Sequence, residues 1–184
     1  MPLNTVILTI GPRGAGKTTF CKEIVRQRPD VAFVERDAIL VELFGSASLS
    51  PYSGAHQQGY KVLSGKVREL LGSGSAIVLL DPWNGFPKER EILTAHVRSL
   101  GAKFVMGWYF VTSENVTTRQ FMEREKSSGF QGFGTERNAR ADYQFYHRQP
   151  VALDQGFDVI VEIDPHQPTL FPRVDFLLPP RLIL

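Results

Sequence analysis

The chain has little that would staple or anchor it. Cys21 is the only cysteine among 184 residues, so no intramolecular disulfide can form and a reducing compartment is the expected setting. No apolar run approaches the roughly 20 residues that a membrane-crossing helix needs. The start, Met1-Pro2-Leu3-Asn4, has no basic stretch and leads directly into an apolar segment, the pattern of a core strand and not of a secretory leader. Charge excess is small as well: 21 basic against 19 acidic residues leave +2, too little to indicate a nucleic-acid surface by itself. What remains is the composition of a soluble, cytoplasmic protein, 42% hydrophobic and 22% charged. The length suits one domain spanning 1–184 with room to bury a core.

What the chain does carry is concentrated near its start. Gly11-Pro12-Arg13-Gly14-Ala15-Gly16-Lys17-Thr18 follows the apolar run 6–10 and fits G-x-x-x-x-G-K-[ST] in full. Glycines let the backbone curl so that successive N–H groups point into one concavity, which suits a polyphosphate. The helix-compatible segment 19–26 that follows adds the partial positive charge of a helix N-terminus. In this reading Gly11, Arg13, Gly14, Ala15, Gly16, Lys17, Thr18 and Thr19 bind a nucleoside triphosphate. Lys17 reaches its β- and γ-phosphates, and the Thr18 hydroxyl sits on Mg²⁺.

Apolar runs at 5–10, 31–34, 76–80, 103–111 and 157–163 read as strands. Several are continuously apolar and not alternating, as expected for strands covered on both faces of a parallel sheet. Between them, Tyr60, Leu63, Val67, Leu70 and Leu71 form one helical stripe, stopped by Gly72-Ser73-Gly74. Leu93, His96, Val97 and Leu100 form another, ended by Gly101. His96 reads as a half-buried core histidine. The alternation predicts an α/β fold with a doubly wound parallel sheet, whose ligands bind at the carboxyl ends of the strands. Gly11, Asp37 and Asp81 each follow a strand, and so share that edge.

The glycine-rich segment 127–140, with Arg119, Arg124, Lys126, Arg137 and Arg140 around it, reads as a short lid that brings arginines to the phosphates. Arg124 is the expected transition-state arginine, with Arg137 and Arg140 in reserve. The proline- and leucine-rich stretch 165–184 shows no usable period and reads as an irregular tail.

Several nucleotide-binding classes are excluded. A small GTPase needs an Asn-Lys-x-Asp guanine motif, which is absent, and a dinucleotide-binding G-x-G-x-x-G needs glycine where Thr19 stands. A phosphotransferase or a nucleotide-binding module remains. Asp37, twenty residues after Lys17, is placed either to accept a proton from an incoming hydroxyl or to cap the helix predicted over 38–44. Asp81 ends an apolar run, where it would hold a Mg²⁺-bound water together with Thr18 or cap the turn before Pro82. Trp83 would stack on an acceptor ring or pack beneath the sheet edge.

Residues 7–44 resemble the kinase domain of bacteriophage polynucleotide 5′-kinase and related kinases, which group with zeta toxins and chloramphenicol phosphotransferase. The match lies in Gly11, Gly14, Gly16, Lys17, Thr18 and Thr19, and in the pair Arg36-Asp37 after the second strand. The resemblance implies that Asp37 is the general base and that Arg119 approaches adenine or the α/β-phosphates. Arg36, Asp37, Trp83 and Asn84 are the residues expected to face the acceptor. Two positions depart from the pattern. Leu40 stands where those kinases tend to carry an arginine, and Asn84 falls one place late in the turn after the third strand. The turn Asn84-Gly85-Phe86-Pro87-Lys88 is similar to one in nucleoside monophosphate kinases. The expected activity is ATP-dependent transfer of phosphate to a hydroxyl. A nucleotide-binding ATPase module acting on a protein partner and a toxin-type sugar-nucleotide kinase are the alternatives.

Overall fold

A computed structural model describes residues 4–47, 54–72, 77–127 and 135–166. Five strands are present: β1 (Thr5–Ile10), β2 (Val31–Glu35), β3 (Ile77–Asp81), β4 (Phe104–Phe110) and β5 (Val159–Ile163). They form one parallel sheet in the order β2-β3-β1-β4-β5. The helices are α1 (Lys17–Gln27), α2 (Arg36–Phe44), α3 (Gly54–Gly72), α4 (Pro87–Ser99), α5 (Glu114–Ser127) and α6 (Glu136–His147), with a short 3-10 turn at Leu153–Gln155. Among the described residues no helix is long and apolar enough to cross a membrane.

Strand parity decides which side chains meet which helix. Val6, Leu8 and Ile10 of β1 point to one face, where Val34, Val78, Leu80 and Val105 join residues of α2, α3 and α4. Ile7 points to the other, with Leu79, Met106, Trp108 and the α1 residues Phe20, Cys21 and Ile24. Every residue of β1 is buried, and each fully buried Leu, Ile or Val contributes about 1.5–3 kcal/mol. The central strand is thus the most firmly held, and the glycine loop grows directly from its end.

The same parity carries polar groups to the α1 face. Thr5, Ile7 and Thr9 alternate on it, and β3 is paired so that Thr5, Ile7 and Leu8 lie beside Ile77, Leu79 and Leu80. Asp81 therefore falls on the α1 face beside Thr9. Glu35 pairs with Asp81 in register and shares that face. The chain steps from β3 over β1 to β4, so the order reverses around β1, where a doubly wound sheet opens a crevice for ligands.

Element edges differ from the sequence expectations in telling places. α1 begins at Lys17, two residues early, because the loop's own Lys and Thr make its first turn. α2 begins at Arg36 with Glu35 as its N-cap, so Asp37 lies inside the first turn and is not the cap. The predicted lid divides. Residues 128–134 lie outside the described residues, whereas 136–140 open α6, whose N-cap Thr135 accepts from the Asn138 N–H at 3.2 Å. Of the tail, 167–184 lies outside the described residues.

Candidate active site

The loop between β1 and α1 has the backbone that its glycines permit. Gly14 and Gly16 have φ of +83° and +85°, in the left-handed region where a side chain is strained. Gly14 also packs so closely on α5 that a Cβ there would run into the Thr117 carbonyl oxygen. No side chain caps α1 and no acid lies in its first turn, which leaves the helix terminus suited to an anion. Lys17 curls back over the loop, its Nζ donating to the carbonyls of Gly11 at 2.8 Å and Pro12 at 3.0 Å. Thr19 is exposed on the outer side of that turn, and Ala15 is buried beneath the loop.

Thr18 and Asp81 come together. The Thr18 hydroxyl donates to Asp81 Oδ2 at 3.1 Å, and the buried Thr9 hydroxyl donates to Oδ1 of the same carboxylate. A hydroxyl and a carboxylate are hard oxygen donors, a set that suits Mg²⁺ completing its shell with water and phosphate oxygens. No cluster of three or more His, Cys, Asp or Glu side chains that could hold a metal occurs among the described residues. The site thus fits an ion held with its nucleotide, not a dedicated protein cage. Glu35 lies close to Asp81 and Asp37. Burial raises its pKa, the nearby Lys22 opposes that rise, and the two carboxylates add to it.

Asp37 is half-exposed, with Oδ1 accepting from Arg36 NH1 at 2.6 Å. Among the described residues Oδ2 has no hydrogen-bond partner. Arg36 itself is turned inward and only 8% exposed, so it supports Asp37 from behind instead of reaching toward an acceptor. Asn84 also turns inward, contrary to its expected acceptor role. It is 1% exposed, and its amide donates to the Thr9 carbonyl at 2.8 Å, tying the turn after β3 to the end of β1. Trp83 remains partly exposed, with Phe86 at 5.9 Å and Phe145 beyond Phe86 at 4.8 Å between ring centroids.

The arginines divide by helix face. α5 runs unbroken through Arg119 and Arg124, and at about 100° per residue the two cannot point the same way. Thr117 and Phe121 mark the side of α5 that meets the loop. Arg124, three residues past Phe121, shares that stripe, whereas Arg119 projects from the far side and is exposed. Arg137 is exposed near the start of α6. Arg140 is held by two carboxylates, Glu136 at 2.9 Å and Glu114 at 3.0 Å. The Arg13 side chain is likewise engaged, over the Phe121 ring and beside Asp142. The Arg13 N–H donates to Asp142 Oδ2 at 2.8 Å, so α6 is fastened to the loop.

One residue that organises the site gave no signal in the sequence. Arg90 on α4 is fully buried, and its five N–H groups are all taken by neutral acceptors. It donates to the Gln155 side chain, to the carbonyls of Asn84 and Gly85, and to those of Gln149 and Pro150, over 2.7–3.2 Å. It thereby joins the turn after β3 to the end of α6. Burial without a carboxylate partner lowers its pKa. Only a hydrophilic residue at helical spacing is visible in the chain, and nothing local marks it as buried.

The family model described as an AAA domain matches residues 6–150. No curated protein matches the chain. Among solved structures, a chain of the Pnkp1/Rnl/Hen1 RNA repair complex aligns at 18% identity and a TM-score of 0.67, over 80% of this chain and 45% of that one. This chain thus spans less than half the length of that relative. A candidate kinase from Chloroflexus aurantiacus aligns at 15% identity and a TM-score of 0.68, covering 96% of this chain and 95% of the other. Shikimate kinase from Acinetobacter baumannii aligns at 18% identity and a TM-score of 0.55, covering 95% and 92%. Most of this chain, residues 6–150, lies within the matched model, and its overall fold aligns with these structures. The chain belongs to the AAA domain family and has the α/β fold of the P-loop kinases.

Proposed function

We propose that this protein transfers the γ-phosphate of ATP to a hydroxyl of an acceptor. The observation that carries the reading is Asp37: a half-exposed carboxylate with Oδ1 held by Arg36 and Oδ2 without a partner among the described residues, close to the cluster of Glu35, Asp81 and Thr18.

The residues divide the work as follows. The loop from Gly11 to Thr18 and the start of α1 present N–H groups to the phosphates, and Lys17 leaves its two carbonyls to pair with phosphate oxygens. Thr18 and Asp81 would hold Mg²⁺, which when bound neutralises charge on the β- and γ-phosphoryl oxygens. Asp37 accepts the acceptor proton through Oδ2 while Arg36 keeps the carboxylate oriented. Arg124, on the α5 stripe that faces the loop, supplies a planar cation for the transferring group. Arg119 on the far side would serve the nucleotide outside the loop. Trp83 and Phe86 form an apolar wall suited to the acceptor. The relatives' names offer both RNA and a small hydroxy acid as precedents, and the near-neutral charge of this chain favours the small molecule.

The test is a screen with γ-labelled ATP and Mg²⁺ against nucleosides, 5′-hydroxyl oligonucleotides, sugars, hydroxy acids such as shikimate, and aminoglycoside- or chloramphenicol-like alcohols. Label on one acceptor class supports the reading. Label released only as inorganic phosphate, at a rate that no acceptor changes, contradicts it.

A further inference from the structure

The orientation of Asp37 is set from inside the protein. The Arg36 guanidinium forks between two partners: NH1 donates to Asp37 Oδ1 at 2.6 Å, while Nε and NH2 converge on His56 Nδ1 at 3.3 and 3.0 Å. Arginine can only donate, so His56 Nδ1 must offer a lone pair, and the ring proton of the neutral form sits on Nε2. His56 is 9% exposed and rests on the Tyr60 ring at 4.8 Å. The Tyr60 hydroxyl donates to the Trp83 carbonyl at 3.0 Å. A line of contacts therefore runs from Asp37 through Arg36, His56 and Tyr60 to the turn after β3.

The packing of α2 on α3 makes this register possible. Arg36 and Leu40 lie one turn apart on α2, and His56, Gly59 and Tyr60 share a face of α3. Leu40 packs into the space left by Gly59, where a Cβ would sit 2.6 Å from Leu40 Cδ2. The leucine that replaces the arginine expected from the resemblance is thus the contact that brings His56 to Arg36. Without His56, the guanidinium would be anchored only to the carboxylate it has to orient, and the two neighbouring side chains would swing together.

We propose that His56 is a positioning residue for phosphoryl transfer: it fixes Arg36, and Arg36 fixes the Asp37 carboxylate with Oδ2 free for the acceptor proton. This rests on reading Asp37 as the base. Burial and the Arg36 charge both disfavour the imidazolium, which would place a proton on the atom that faces arginine.

Two readouts test it. The first is ¹⁵N NMR of the imidazoles, with His56 assigned by its loss in His56→Gln. The expected wild-type signal is the Nε2–H form, shifting toward a mixture of tautomers in Arg36→Lys, whose single ammonium cannot fork. A wild-type Nδ1–H form, or a spectrum untouched by Arg36→Lys, overturns the proposal. The second is Mg·ATP hydrolysis with water standing in for the acceptor. His56→Leu should lower kcat roughly 10- to 100-fold with the KM for ATP unchanged, as expected for a misplaced catalytic group. His56→Gln, which keeps an acceptor atom, should recover most of the rate. In the Asp37→Asn background His56→Leu should cost nothing further. Equal loss in both backgrounds, or no rescue by glutamine, overturns it. Wild-type kcat in Asp37→Asn alone instead overturns the reading of Asp37 as base. If His56→Leu fails to fold, Arg36→Lys carries the same kinetic comparison.

Discussion

The Thr18 hydroxyl donates to Asp81 Oδ2 at 3.1 Å, joining the first turn of α1 to the last residue of β3 across a gap of 63 residues. The contact follows from strand parity. Asp81 is two residues beyond Leu79 and shares its face, where α1 lies, and Thr9 steadies the other carboxylate oxygen. The glycine loop and the acidic strand end are therefore one unit, and removing either half should disable the other.

Asp81→Asn keeps the shape and can still meet Thr18, but removes the charge a divalent cation needs. Titration of ATP should show that Mg²⁺ tightens binding to the wild-type protein and leaves the variant unaffected. Turnover should fall by about 10²-fold or more, the scale of lost metal charge stabilisation. An equal Mg²⁺ effect in both proteins would detach Asp81 from the metal.

Lys17→Ala removes the loop cation that lies over its carbonyls; the other, Arg13, is turned to Phe121 and Asp142. Calorimetric titration should find ATP binding reduced below detection, with the fold intact because among the described residues Lys17 bonds only to the Gly11 and Pro12 carbonyls. Wild-type affinity would contradict the phosphate role of the loop.

Arg90→Met should destabilise the protein without touching the phosphate loop. The substitution leaves carbonyls at Asn84, Gly85, Gln149 and Pro150 without this donor in a buried place. A loss of about 3 kcal/mol is expected, or a fall in Tm of about 6–12 °C for a chain of this size. A shift under about 2 °C would show that the clamp is dispensable.

Cys21 is fully buried, and burial, with Asp81 nearby, pushes its thiol pKa up. This reverses what a position early in a helix would do to an exposed thiol. Reaction with a thiol reagent at pH 8 should be negligible in the folded protein and complete on unfolding. Rapid labelling of the native protein would place Cys21 elsewhere.

Legibility in the sequence followed the range of the forces involved. The strands were readable because β1 and β3 are mostly apolar runs without strict alternation, and Thr18 and Asp81 because the loop motif and a strand-ending acid signal their own positions. α3 was read only from its apolar stripe after Tyr60. Its first turns, Gly54 to Gly59, contain glycine and glutamine with no stripe, and the packing of Leu40 on Gly59 holds them in place. Arg36, Asn84 and Arg90 look like surface residues in the chain. Each is buried because its partners are backbone carbonyls or side chains brought in by other elements, up to 75 residues away for Asn84 and Thr9. His56 carries no local signal at all, since its role depends on two helices meeting.

The most direct test of the account is transfer of label from γ-labelled ATP to the acceptor found by the screen, compared between wild type and Asp37→Asn. The variant keeps the size of the side chain and a partner for Arg36, and loses only the base. The account predicts a fall in kcat of roughly 10²–10⁴, with ATP affinity and Tm close to wild type. Full transfer by Asp37→Asn, with or without a loss of thermal stability, would contradict it.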